Sequence, residues 1–138
     1  MSYDFGLIEP STGKPVYFDS PHQMKGGTYA IGGTKEAVLN ITFNYSRWYN
    51  KHGVFPDDWN GIKGMDQIKV ADSIPILKKA INTLEEMTEE LTTEEIRNYI
   101  KENVKGYWIP TRENAIKPLY QLLTIAEKRP DAMWKLYK

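Results

Sequence analysis

The sequence predicts an α+β fold, with a small antiparallel sheet from the N-terminal half covered on one face by three to four C-terminal helices. Apolar runs rich in aromatic and β-branched residues lie before residue 50, whereas residues 73–138 carry helix caps and apolar residues at helical spacing. Strands followed by helices are typical of this class. In 138 residues we expect one domain, with strands and a glycine-rich loop in 1–50, a loop in 54–72 and a helical part in 73–138.

The first twenty residues predict a β-hairpin. Residues 3–8 and 16–18 would be its strands, and the segment 10–15 between them is dense in proline, glycine, serine and threonine, which form turns. The following segment, 21–34, contains two Gly-Gly-Thr triplets and matches no regular element.

Residues 36–49 fit two patterns. As a helix, they would place an apolar stripe from Val38 to Tyr49 on one side, with Thr34 as the cap. As a strand, they alternate strictly, and this alternation together with the β-branched and aromatic content favours a strand to about Ser46. A short helix would follow and end at Gly53. The strand would separate an apolar face (Ala37, Leu39, Ile41, Phe43, Tyr45) from a polar one (Val38, Asn40, Thr42, Asn44, Ser46).

Three helices are predicted after the loop. Ser73 would cap the first, Thr92 and Glu95 form the capping box of the second, and Thr111 begins the third. Pro118 inside the third helix predicts a kink or a later start. The last segment, 130–137, is predicted as a final helical turn. The expected inward residues are Leu77, Ala80, Ile81 and Leu84, then Ile96, Tyr99, Ile100 and Val104, then Ile116, Leu119, Leu122, Leu123 and Ala126, and finally Met133, Trp134 and Tyr137.

Composition argues against most catalytic machinery. There are no cysteines and only two histidines, His22 and His52, so thiolate sites are excluded and no third nitrogen completes a metal site. Asp57 and Asp58 beside His52 are better explained as a solvated loop. No nucleophile lies in an elbow motif. We therefore expect no catalytic residue, no metal and no cofactor.

Charge and hydropathy limit the partners. The formal net charge is zero, and the basic excess in residues 97–138 is modest, so binding to duplex nucleic acid is not expected. No apolar run reaches the roughly 18 residues of a membrane span, and the N-terminus has no signal-peptide pattern. Surplus aromatic residues are compatible with a homo-oligomer.

Two neighbouring features predict a ligand site within residues 22–49. The glycine-rich loop with Lys25 offers backbone N–H groups to an anion, although a structural connection between strands is the favoured explanation. The polar ladder of residues 38–46 lies beside aromatic rings and suits a base, sugar or peptide, although a solvent-facing sheet surface is the favoured explanation. A second aromatic cluster, 107–114, is better explained as the closure of a helix corner. The candidate ligand-binding residues are His22, Lys25, Gly26, Gly27, Thr28, Tyr29, Gly33, Thr34, Asn40, Thr42, Asn44, Tyr45 and Trp48.

Several segments are similar to a group of small proteins of tailed phages and prophages. They are residues 26–34, 36–45, 73–77, 107–115 and 129–131. The leading pattern is Gly-Gly-Thr-Tyr-Ala-x-Gly-Gly-Thr-x-Glu-Ala-x-Leu-Asn-Ile-Thr. Pro118 and the glutamate-rich linker of residues 85–95 depart from it. The group has no assigned activity, so the resemblance implies a genomic setting alone.

The function expected from these observations is that of a non-enzymatic phage accessory protein in the host cytoplasm. It would counter host defence by sequestering a nucleotide-like signal or by occluding a defence protein. The alternatives are a structural or regulatory phage protein that acts through protein–protein contacts, and a small nucleotide-processing enzyme.

Overall fold

The computed structural model of the protein describes residues 2–22, 34–104 and 106–137. Strand β1 (Ser2–Ile8) is the centre of a three-stranded antiparallel sheet. Strands β2 (Tyr17–His22) and β3 (Thr34–Glu36) form a separate antiparallel pair. Strands β4 (Val38–Thr42) and β5 (Met133–Tyr137) flank β1. The described residues also form four α-helices, and the predicted α+β class is confirmed.

The predicted N-terminal hairpin forms next to its turn but does not extend along its strands. A bridge joins Ile8 to Pro15, and the Val16 N–H donates to the Leu7 carbonyl over 3.0 Å. The pairing of the hairpin stops there, because Ala37 bonds to both strands. Its N–H donates to the Val16 carbonyl, and its carbonyl accepts the Leu7 N–H. Beyond Val16, β2 therefore pairs with β3, and β1 pairs with β4.

The ambiguous segment begins as a strand and ends as a helix. Leu39 and Ile41 are buried while Val38, Asn40 and Thr42 are half-buried, so the predicted alternation holds through β4. The strand ends four residues earlier than expected, because the Thr42 side chain accepts the Asn44 N–H and starts a 3-10 turn over Phe43–Tyr45. The short helix that was expected next is α1 (Ser46–Tyr49).

Helix α2 (Val70–Glu86) begins three residues before its predicted cap. The N–H groups of Val70 and Ala71 donate to the carbonyls of Ala132 and Pro130, so a distant segment takes the role of a cap. Ser73 is instead buried inside the helix, which corrects the prediction. The four residues expected to face inward, Leu77, Ala80, Ile81 and Leu84, are all buried.

The predicted loop of residues 54–72 contains two 3-10 segments, Asp57–Trp59 and Gly61–Met65, as well as the start of α2. Ile62 and Met65 in the second segment are buried. The segment therefore contributes to the core as well as connecting two elements.

Helix α3 (Thr93–Lys101) has the predicted capping box, with the Glu95 N–H donating to Thr92 Oγ1 over 3.1 Å. Its apolar residues are less buried than expected, because none of its residues is buried and Ile100 is 60% exposed. This corrects the prediction of an inward face on this helix.

Helix α4 (Arg112–Lys128) begins at Thr111 as predicted, and the Thr111 side chain accepts the Asn114 N–H. The later start suggested by Pro118 is therefore wrong. Four of the five expected inward residues are buried, namely Ile116, Leu119, Leu122 and Ala126, while Leu123 packs half-buried against the core.

The C-terminal segment, predicted as a helical turn, is instead strand β5. Trp134 is buried, and Lys135 on the opposite face is half-buried. In so short a segment, the spacing of Met133, Trp134 and Tyr137 fits a helix as well as a strand. The pairing with β1 shows that the segment is a strand. The core lies between this sheet and helices α2 and α4, which pack against each other. In the described ranges, no helix is long and apolar enough to cross a membrane.

Candidate functional site

The part of the predicted polar ladder that lies in β4, namely Val38, Asn40 and Thr42, is on the side of the three-stranded sheet away from the core, whereas Asn44 and Ser46 lie beyond the strand. Strand alternation places the residues between the buried ones on this side, where most of them are half-buried. We call this surface the outer face. Its members in the described strands are Ser2, Asp4, Gly6, Ile8, Val38, Asn40, Thr42, Met133, Lys135 and Tyr137.

Asn40 is held in place by its neighbours on β1. Its side-chain amide donates to Ser2 Oγ over 2.5 Å and also to Asp4 Oδ1. These bonds fix the orientation of the amide, so its oxygen is the group left for a partner. Sequence analysis missed Ser2 and Asp4, because only the register between β1 and β4 brings them beside Asn40.

Tyr137 covers the centre of the outer face. A methyl group added at Gly6 would lie 2.9 Å from the Tyr137 ring, so the ring lies directly over the glycine backbone. The same register places Lys135 and Val38 on either side of Gly6. The outer face thus combines an aromatic ring, amide and hydroxyl groups, and charges of both signs.

The other candidate residues between Thr42 and Trp48 serve the fold. Thr42 caps the 3-10 turn, and the Asn44 amide donates to the Trp108 carbonyl over 3.0 Å. Trp48 is fully buried, and its indole N–H donates to the Pro110 carbonyl over 2.8 Å. Tyr45 is also fully buried. A ligand would therefore reach the rings of Trp48 and Tyr45 only by displacing the core around them.

These bonds also explain the second aromatic cluster. The carbonyls of Trp108 and Pro110 accept from Asn44 and Trp48, and Ile109 is buried. The segment before α4 therefore packs against the 3-10 turn after β4 and against α1, and not only at a corner between two helices.

The other candidate residues fall at the margin of the described chain or outside it. The backbones of His22 and Thr34 pair across β2 and β3. The remaining candidates lie outside the described residues: Lys25, Gly26, Gly27, Thr28, Tyr29 and Gly33.

A cleft of about 400 Å³ lies beside the loop of residues 52–57, in a region that sequence analysis interpreted as a solvated loop. The loop is a tight turn, in which the Val54 N–H donates to the Lys51 carbonyl and Gly53 has a φ of 87°. Positive φ is readily adopted only by glycine, so Gly53 permits the turn. The cleft is lined by His52, Gly53, Val54, Phe55, Pro56, Asp57, Ile76 and Lys79.

The rim of this cleft carries a histidine–aspartate pair. His52 Nδ1 lies 3.3 Å from Asp57 Oδ1, and both side chains are largely exposed. A smaller cleft of about 210 Å³ is also lined by His52 and Asp57. Asp58, which sequence analysis grouped with them, lines neither cleft. The adjacency of His52 and Asp57 along the chain was the available signal, but only the turn at Gly53 brings them together.

The side chains of the two clefts are polar at several positions. Their lining residues include an imidazole, a carboxylate and lysine ammonium groups, and they include no serine, threonine or cysteine. Tyr49 lines the smaller cleft, but its hydroxyl donates to the Ala115 carbonyl over 2.7 Å, and burial raises the pKa of this hydroxyl well above its usual range. Across residues 2–22, 34–104 and 106–137, no three histidine, aspartate or glutamate side chains form a group able to hold a metal ion.

No protein-family model, curated protein or solved structure matches the chain.

Proposed function

We propose that the protein is a non-enzymatic accessory binding protein of a tailed phage, which acts in the host cytoplasm by occluding a host defence protein. The observation that carries the proposal is the outer face, a sheet surface with half-exposed polar and aromatic side chains on the side opposite the helices. The phage setting comes from the resemblance of the segments quoted above.

The shape of the outer face favours a protein partner over a small signal molecule. Small-ligand sites are concave, whereas protein interfaces spread over surfaces of about 800 Å² per partner. The face mixes the Tyr137 ring with the amide of Asn40 and the ammonium of Lys135. Tyrosine is enriched among the residues that dominate binding energy, with polar groups around it.

The face is also preorganised. The bonds from Asn40 to Ser2 and Asp4, and the position of Tyr137 over Gly6, restrict these side chains before a partner arrives. Binding therefore costs less conformational entropy than it would for unrestrained side chains.

The test is phage survival in a defended host that expresses variants of the protein. Lys135→Glu reverses a charge on the outer face, and Lys78→Glu reverses one on the exposed side of α2 as the matched control. Lys135→Glu should reduce survival to the level without the protein, while Lys78→Glu should leave it unchanged. Equal survival with both variants, at equal melting temperatures, would overturn the proposed role of the face.

A further inference from the structure

The cleft beside residues 52–57 differs from the outer face in its chemical composition. Phe55 and Ile76 provide an apolar wall, whereas His52, Asp57 and Lys79 provide polar groups at the opening. Its volume of about 400 Å³ falls in the range of small-ligand sites, about 300–1,000 Å³. The cleft shares no residue with the outer face.

Lys79 is the cation available to a ligand here. Among the described residues it has no ion-pair partner, whereas the nearby Lys51 contacts Glu90. An unpaired ammonium at the opening of a cleft attracts an anionic group, and phosphate is a strong acceptor for lysine.

His52 and Asp57 add a flat ring and a carboxylate. Their contact of 3.3 Å orients the imidazole, and the carboxylate can accept an N–H from a ligand. The exposed imidazole ring offers a surface against which a planar group can lie, and Phe55 also lines the cleft.

We propose that this cleft binds a nucleoside monophosphate. The phosphate contacts Lys79, the base lies against the apolar wall beside His52, and an N–H of the base donates to Asp57. One ligand class thus uses the anion-binding, planar and hydrogen-bond-accepting features of the cleft together. The proposal is independent of the function proposed for the outer face, and either can fail without the other.

The experiment is a titration of the purified full chain with GMP, AMP, CMP and inorganic phosphate, followed by calorimetry and by backbone amide NMR. We expect saturable binding of at least one nucleotide, with the largest shifts at Gly53, Val54 and Lys79. Inorganic phosphate should bind much more weakly than that nucleotide.

Adjacent residues of the same type provide matched controls. Lys79→Ala should weaken nucleotide binding about tenfold or more, as expected for loss of a charge-assisted contact, and Lys78→Ala should change it less than twofold. Asp57→Asn should weaken binding, whereas Asp58→Asn should not. Because these side chains are exposed, the variants should melt like the wild type.

Three results of the affinity measurements would overturn the proposal. They are no saturable binding of any nucleotide, equal affinity for inorganic phosphate and nucleotide, and unchanged affinity in Lys79→Ala. Shifts confined to the outer face would also overturn it, while leaving the function proposed for that face intact.

Discussion

Removing the Ser73 hydroxyl tests how the C-terminal strand is attached to the helices. Ser73 is fully buried, and its hydroxyl joins two elements. It accepts the indole N–H of Trp134 over 2.7 Å and donates to the Val70 carbonyl over 2.7 Å. Ser73→Ala leaves a buried indole N–H without its acceptor.

An unsatisfied buried donor costs about 1–3 kcal/mol. For a domain of this size, 1 kcal/mol corresponds to about 3–5 °C in melting temperature. Ser73→Ala should therefore lower the melting temperature by about 3–15 °C and shift the urea midpoint without changing the slope of the transition. Ser11→Ala, at an exposed turn position, should stay within about 0.5 kcal/mol of the wild type.

A double-mutant cycle with Trp134→Phe isolates the bond between the two side chains. In the phenylalanine background no indole N–H is left unsatisfied, so Ser73→Ala should cost less there, with a coupling of about 0.5–3 kcal/mol. Additive free energies of unfolding, or a single variant within about 0.5 kcal/mol of the wild type, would refute the reasoning.

Three further predictions concern packing, pH and local stability. A methyl group at Gly64 would overlap Trp59, so Gly64→Ala should lower the free energy of unfolding in urea by about 1–3 kcal/mol. Gly106 has open space around it, so Gly106→Ala should lower this free energy little. Equal effects of the two variants would contradict the prediction. Hydrogen bonding from Arg129 lowers the pKa of Asp131 below 3.8, so the Asp131 carboxylate stabilises the fold above that pH, and this stabilisation is lost as the pH falls through the lower pKa of the folded state. In an acid titration of stability, Asp131→Asn should lack this loss. Identical titration curves for the variant and the wild type would be inconsistent with the prediction. Thr92→Ala removes the cap of α3 and should destabilise this helix by about 1 kcal/mol, which should appear as faster amide hydrogen exchange in residues 93–101. The melting temperature should change little, because no residue of this helix is buried. Unchanged amide exchange would refute this prediction.

The accuracy of the sequence-based expectations follows the range of the interactions involved. The capping residues Thr92 and Thr111 were predicted correctly, because a cap is a local interaction between a side chain and a backbone three residues away. The alternation of β4 was also predicted correctly, because it too depends on residues that are close in the sequence. The partners of β1 and the strand state of β5 were not predicted, since both depend on pairing between segments that are distant in the chain; for β5 the separation exceeds a hundred residues.

In the candidate site, too, the local features were predicted and the long-range contacts were not. Asn40 and Thr42 were predicted on the polar side of a strand, and they lie there. The burial of Trp48 was not anticipated, because its partner, the Pro110 carbonyl, comes from a distant segment. The cleft beside residues 52–57 was missed because Ile76 and Lys79 reach it from a separate helix.

The most direct test of the proposed binding function is co-purification of the full chain from a defended host, with quantitative mass spectrometry of the recovered proteins. The wild type and Lys78→Glu should each recover one host defence protein in near-stoichiometric amount, and Lys135→Glu should lose it. If no such protein is recovered with the wild type, or if Lys135→Glu recovers it equally, the outer face is not the binding surface proposed here.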